Sequence, residues 1–213
     1  MKKTIYLFSG LGADERVFQC LDFSDFSVVH IHWIKPDKDE TIENYASRML
    51  KQIKSNRPIL VGYSFGGIMA IEVAKQIETE KIITIASINT KDELPFYFRL
   101  TGKLNLHKLI PMGLVKHSNF FTNWMFGAET KFDKELLKQI IHDTDTQFLK
   151  WAIDKVLKWN NSIQIKNLTH IHGTKDRILP YRYVTNNITI NNGGHLMLLN
   201  KSEELNKIIR EIL

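Results

Sequence analysis

The chain has 213 residues, with 29 Lys and Arg against 23 Asp and Glu and a formal net charge of +6. The lysines are scattered and often sit near carboxylates, so no basic block marks a nucleic-acid interface, and the length suits one α/β domain with a full core. One cysteine, Cys20, excludes an intramolecular disulfide, and the first apolar run, Ile5 to Phe8, is too short for a signal peptide or membrane span, so the expectation is a cytoplasmic protein.

Thr4 to Phe8 is rich in β-branched and aromatic residues and predicts a buried strand running into a tight loop, Ser9-Gly10-Leu11-Gly12. Val28 to Trp33 alternates in the manner of an edge strand. His30 and His32 find no further ligand cluster there, which argues for packing rather than metal binding. Ile42, Tyr45, Ala46, Met49, Leu50 and Ile53 form one helical stripe, with Asp39 and Glu40 at its positive end. Pro58 to Val61 reads as a strand, Ile68 to Ala74 as a helix apolar almost all round, and Lys81 to Ile88 as another strand. This alternation implies parallel strands joined by right-handed crossovers.

From Asn89 to about Lys158 the alternation stops. The stretch holds Pro95, Pro111 and many aromatics, with convincing helical patterning only in Lys134 to Ile141 and Phe148 to Trp159. It is too long for a plain loop and too apolar for disorder, which predicts an inserted cap at about 89–158 within a single domain spanning 1–213. Leu168 to His172 and Asn187 to Ile190 then supply two more strands, and a helix begins at Ser202 with Leu205, Ile208, Ile209 and Ile212 on one face.

The chemistry gathers around Val61-Gly62-Tyr63-Ser64-Phe65-Gly66-Gly67, where a strand feeds through Gly-x-Ser-x-Gly into a helix. In such a turn a side chain at Gly62 or Gly66 would strike the neighbouring strand and helix. A serine hydroxyl is a poor nucleophile near neutral pH. It needs an imidazole to take its proton, and the imidazole needs a carboxylate to fix its tautomer. Ser64, Asp176 and His195 supply these roles from loops at the carboxyl ends of predicted strands, the region where ligands bind in open α/β sheets. Asn89 cannot supply the charge of an acid, and His170 and His172 lie on a strand and suit internal packing. His195 follows two glycines and precedes an apolar anchor, Leu196 to Leu199, which suggests a mobile base.

The segments Gly62-Tyr63-Ser64-Phe65-Gly66-Gly67, His172-Gly173-Thr174-Lys175-Asp176 and Gly193-Gly194-His195 resemble, in order and spacing, the nucleophile, acid and histidine loops of the α/β-hydrolases. The resemblance spans essentially the whole chain and points to a small, capped, serine esterase-like member. It implies a three-layer α/β/α fold with a mostly parallel sheet of about six strands. It also implies an oxyanion hole from the backbone N–H groups of Phe65 and Leu11, no cofactor or metal, and a small-molecule ester as substrate. Ser9 stands where many relatives carry histidine.

Alternatives stay open within and beyond that implication. A lyase or carbon–carbon hydrolase could use the same fold, although hydroxynitrile lyases of the superfamily carry lysine where this chain has Leu196. A non-catalytic small-ligand receptor is the other. In the insertion, Phe121 and Trp124 are candidate walls of an acyl pocket. Arg99, Lys103, Lys108 and Lys116, with no carboxylate between Leu94 and Ala128, could favour an acidic ester or an anionic surface. The oligomeric state is open.

Overall fold

The computed structural model describes residues 2–109, 111, 113, 116 and 119–213. Six strands form the sheet: β1 (Thr4–Phe8), β2 (Ser27–Ile31), β3 (Ile59–Tyr63), β4 (Lys81–Ile85), β5 (Leu168–Gly173) and β6 (Asn187–Ile190). Their order is β2-β1-β3-β4-β5-β6 and every pairing is parallel. The chain leaves β1 outward to β2 and then crosses back to β3, so the loops after β1 and β3 diverge and open a crevice between them. The loop carrying Gly10 to Gly12 and the turn carrying Ser64 both sit at that crevice.

Two predicted strands end early, each for a local reason. Beyond β2, the Trp33 indole N–H turns away from the sheet to reach the Gly10 and Ala13 carbonyls at 3.3 and 3.1 Å. Beyond β4, Ala86 adopts φ 47°, a left-handed conformation that bends the chain out of line.

The described helices are α1 (Ile42–Met49), α2 (Phe65–Ala74), α3 (Phe96–Lys103), α4 (Phe120–Phe126), α5 (Lys131–Asp143), α6 (Thr146–Lys158), α7 (Met197–Asn200) and α8 (Ser202–Ile212). Alternation along the strands splits the core into two. Ile5, Leu7, Val61, Ile83 and Ile85 face the side covered by α5 and α8. Tyr6, Phe8, Leu60 and Ile82 face α1, α2 and α6. The result is three layers, with apolar side chains on both faces of the sheet.

Helix α2 lies within the second core, and every residue from Phe65 to Val73 is buried, Glu72 included. A buried carboxylate needs partners. Glu72 has them in the Lys75 ammonium and in the Trp159 indole N–H, each 2.8 Å away.

β4 and β5 are neighbours in the sheet, yet residues 86–167 lie between them in sequence and contribute α3 to α6. α3 packs on α6, and α6 in turn reaches α2. Of the stretch 89–158, residues 110, 112, 114, 115, 117 and 118 lie outside the described residues. Among the described residues no helix is long and apolar enough to cross a membrane.

The glycines of the elbow are fixed by close backbone approach. A Cβ on Gly66 would overlap the Phe8 and Ser9 carbonyl oxygens, and one on Gly62 the backbone of Gly66 and Gly67. Neither neighbour can yield, because both are main chain. Gly66→Ala is therefore expected to destabilise the fold by about 3 kcal/mol, read as a lowered urea midpoint with unchanged m-value. A midpoint equal to wild type would contradict this packing.

Candidate active site

Ser64 sits between β3 and α2 at φ 53° and ψ −121°, a strained conformation for a residue with a side chain. The strain is held by hydrogen bonds on both sides. Its N–H donates to the Ile85 carbonyl of β4 at 2.9 Å, while its carbonyl accepts from the Gly67 N–H at 2.9 Å and the Ser87 hydroxyl at 2.7 Å. The side chain is left pointing into the crevice.

There it meets His195. The Ser64 hydroxyl lies 2.9 Å from His195 Nε2, and His195 Nδ1 lies 2.7 Å from Asp176 Oδ2. The second oxygen of Asp176 accepts from the Ile178 and Leu179 N–H groups, both at 2.9 Å, so the carboxylate is locked in orientation although it is buried. An ionised Asp176 can only accept, so His195 carries its proton on Nδ1 and offers the Nε2 lone pair to the Ser64 O–H. The structure thus brings together the three residues picked from sequence.

The expectation of a mobile His195 is corrected. Its ring is buried between Tyr63 and Phe126, with centroids 5.5 and 5.6 Å away. The Tyr63 hydroxyl donates to the His195 carbonyl at 3.1 Å, and the Leu196 N–H donates to the Phe126 carbonyl at 2.9 Å. Burial pushes the Tyr63 phenol well above its ordinary range, and the charge of Asp176 adds to the effect, so it remains a neutral donor. Sequence reasoning missed Tyr63 as a holder of the histidine loop. Its place inside the Gly-x-Ser-x-Gly motif was the available signal.

A second polar array lies behind Asp176. His172 Nε2 is 2.8 Å from the Leu179 carbonyl and so must donate to it, leaving Nδ1 to accept from His170 Nε2 at 3.2 Å. His170 Nδ1 then accepts from the Asn89 amide at 2.9 Å, and the Asn89 oxygen accepts from the Thr84 hydroxyl at 2.9 Å. Both rings are neutral in this pattern. Asn89 is a structural hydrogen-bonding residue in this array.

Burial, and then repulsion from His172, holds His170 down to about 3 from the ordinary 6.5, and burial lowers His172 as well. Since the native value is the lower one, the unfolded chain binds protons that the native state refuses once the pH drops below about 6.5. Stability is whole above that value and is lost as pH falls toward about 3, at roughly 1.4 kcal/mol per pH unit for His170. His170→Gln keeps a donor and an acceptor but does not titrate. Urea midpoints between neutral and acid pH should fall less steeply for this variant, and parallel pH profiles would contradict the assignment.

The loop after β1 faces Ser64 across the crevice. The Ala13 N–H closes a turn on the Gly10 carbonyl at 3.0 Å, with Gly12 at φ 70°, where a glycine is favoured. Ser9 donates to the Ala13 carbonyl at 2.6 Å and Thr144 to the Gly12 carbonyl at 2.9 Å, so both sides of the loop are fixed. That turn leaves the Leu11 N–H outside its own hydrogen bond. The Phe65 N–H is the first of α2, where no carbonyl one turn earlier can meet it.

A cavity of about 290 Å³ opens at Ser64 and His195 and is bordered by Gly10, Leu11 and Phe65. It runs between the two cores, with Val17, Leu137 and Ile140 from one and Ile68, Leu94 and Leu179 from the other. Among the described residues no Asp, Glu, Lys or Arg lines it.

This corrects the expected pocket walls. α4 contributes Thr122 and Phe126 to the lining, whereas Phe121 and Trp124 stack on each other outside it, 64% and 47% exposed. The Arg177 guanidinium lies 4.5 Å from the Trp124 ring and donates to the Trp124 carbonyl. Arg99, Lys103, Lys108 and Lys116 are likewise absent from the lining, so their charge does not enter the cavity. His30 packs against Phe18 at 6.3 Å, and no group of three or more metal-ligating side chains exists among the described residues.

No family model and no curated protein matches the chain by sequence. Solved structures do match in shape. A lipase-esterase related protein from Clostridium acetobutylicum is 15% identical, with a TM-score of 0.70 over 99% of this chain and 94% of that one. An esterase from Exiguobacterium antarcticum gives 14% identity and a TM-score of 0.71 over 99% and 91%. A bromoperoxidase from Bacillus anthracis gives 15% and 0.71 over 100% and 92%. The parallel six-stranded sheet, the strained serine between β3 and α2, and agreement over nearly the full length of these structures establish that this chain has the α/β-hydrolase fold.

Proposed function

We propose that the protein is a serine hydrolase that cleaves small carboxylic esters, with Ser64 as nucleophile, His195 as base and Asp176 as the acid. The observation that carries this reading is the unbroken line of contacts from Ser64 Oγ to His195 at 2.9 Å and from His195 to Asp176 at 2.7 Å. In the first half-reaction the Ser64 oxygen attacks the ester carbonyl while His195 Nε2 takes its proton. The tetrahedral oxyanion is met by the Phe65 and Leu11 N–H groups and by the positive end of α2. The intermediate collapses, the C–O bond to the alcohol breaks, and His195 returns the proton to the departing oxygen. Water, deprotonated by His195, then attacks the acyl carbonyl, the bond to Ser64 Oγ breaks, and His195 returns the proton to that oxygen as the acid leaves.

Residues 89–158 serve, in this account, as a cap within one domain, because α3 to α6 supply most of the apolar roof of the cavity. The roof lacks charge, and the cavity of about 290 Å³ lies at the lower end of the range for small-molecule sites. Both features favour a neutral substrate with an apolar acyl part of about four to eight carbons. No cofactor enters this chemistry. The free thiol of Cys20 and the absence of a basic block support a cytoplasmic enzyme that does not bind nucleic acid.

The test is a series of p-nitrophenyl esters of increasing acyl length. Turnover with a maximum of kcat/KM at short to medium chains is the expected result. Saturable binding of such esters without turnover would favour a receptor on the same scaffold.

A further inference from the structure

Two of the helices that roof the cavity, α3 and α4, carry apolar side chains on their outer faces as well. Of the thirteen large hydrophobic side chains exposed among the described residues, nine lie between Phe96 and Trp124. Phe120 is 86% exposed and Leu109 79%, and Phe96, Leu100, Leu104 and Phe121 are exposed too, on or just after two helices that line the same cavity. In α3 the inner face gives Phe98 to the cavity, and in α4 it gives Thr122 and Phe126. A helix apolar on both sides is normally buried on both. An exposed apolar surface rich in aromatics marks a place of contact.

The charge on this surface points to what covers it. From Leu94 to Ala128 the sequence has Arg99, Lys103, Lys108 and Lys116 and no Asp or Glu. Arg99 is met by Asp92 at 3.5 Å, and nearby Asp154 is met by His107, Lys155 and Lys158. Lys103 and Lys108 have no ion pair among the described residues. A second copy docking face to face would set these cations against themselves, with no carboxylate in the segment to pair them. A surface at once apolar below and anionic above satisfies both features, and Tyr97 and Trp124 suit the boundary between those layers.

We infer that the outer faces of α3 and α4, with residues 104–109 after α3, dock on an anionic lipid surface. The apolar side chains of α3 and α4 enter the headgroup boundary while Lys103 and Lys108 pair with lipid phosphates. The inference is independent of the hydrolase reading. Were both to hold, the cavity would sit beside the surface in which apolar esters dissolve.

The experiment uses the full chain carrying Ser64→Ala, so that turnover plays no part. Its sedimentation is followed with phosphatidylcholine vesicles containing either no phosphatidylglycerol or about one third of it, at about 0.05 and 0.5 M salt. Binding to the anionic vesicles at low salt, largely lost at high salt, is expected. Adding Lys103→Glu with Lys108→Glu should weaken it by at least twentyfold, on the basis of about fivefold for each lysine. Adding Phe120→Ser with Phe121→Ser should cost on the order of tenfold. All four positions are exposed, and unchanged urea midpoints would show that the fold is intact. No sedimentation with anionic vesicles, or sedimentation that neither pair of substitutions alters, would overturn the inference. So would a concentration-dependent dimer abolished by Phe120→Ser with Phe121→Ser, since the occupant would then be a second copy.

Discussion

Ser64→Ala is expected to lower ester turnover by on the order of a millionfold while the protein stays folded. Among the described residues the hydroxyl has one partner, His195 Nε2, and the other hydrogen bonds of the residue are made by its backbone. Alanine keeps the Cβ, so the strain at φ 53° is carried by the same hydrogen bonds, to the Ile85 carbonyl and from the Gly67 N–H and the Ser87 hydroxyl. The stability change should therefore stay within about 1 kcal/mol. What is lost, on the proposed mechanism, is the hydroxyl from which His195 Nε2 would take the first proton. Turnover of p-nitrophenyl butyrate and the urea midpoint, measured on the same preparation, check both halves. Activity above about a hundredth of wild type, in a folded variant, would contradict the assignment of Ser64.

Asp176→Asn should cost about ten-thousandfold in turnover, through a proton in the wrong place. The two backbone donors, Ile178 N–H and Leu179 N–H, both point at Oδ1 and require an oxygen there. An asparagine at this position must then turn its NH₂ toward His195, 2.7 Å from Nδ1 in the wild type. Nδ1 becomes the acceptor and the ring proton moves to Nε2, where it faces Ser64 and blocks deprotonation of the hydroxyl. The loss should fall on kcat rather than KM, because nothing in the cavity wall has changed. Near-normal kcat in this variant would place the acid elsewhere.

Six strands and the long helices were legible because their apolar periods are unambiguous: Asn187 to Ile190 and the helix from Ser202 coincide with β6 and α8. Ser64, Asp176 and His195 were legible because glycines and strand ends mark the loops that carry them. The walls of the cavity were not. Both faces of α4 are apolar, so periodicity cannot decide which one turns inward, and Phe121 and Trp124 lie outside where Thr122 and Phe126 lie inside. α3 was missed for a related reason: exposed Phe96, Tyr97 and Leu100 blur its stripe. The array from Thr84 through Asn89 to His172 joins β4, the turn after it and β5, and no local pattern foretells which histidines a sheet will bring together.

The nucleophile is tested most directly by reaction with a fluorophosphonate followed by peptide mass spectrometry. One adduct per chain, on the Ser64 oxygen, is expected in the wild type, with labelling abolished by Ser64→Ala and slowed by several orders of magnitude in His195→Ala. An adduct on another residue, or labelling that persists in Ser64→Ala, would contradict the account.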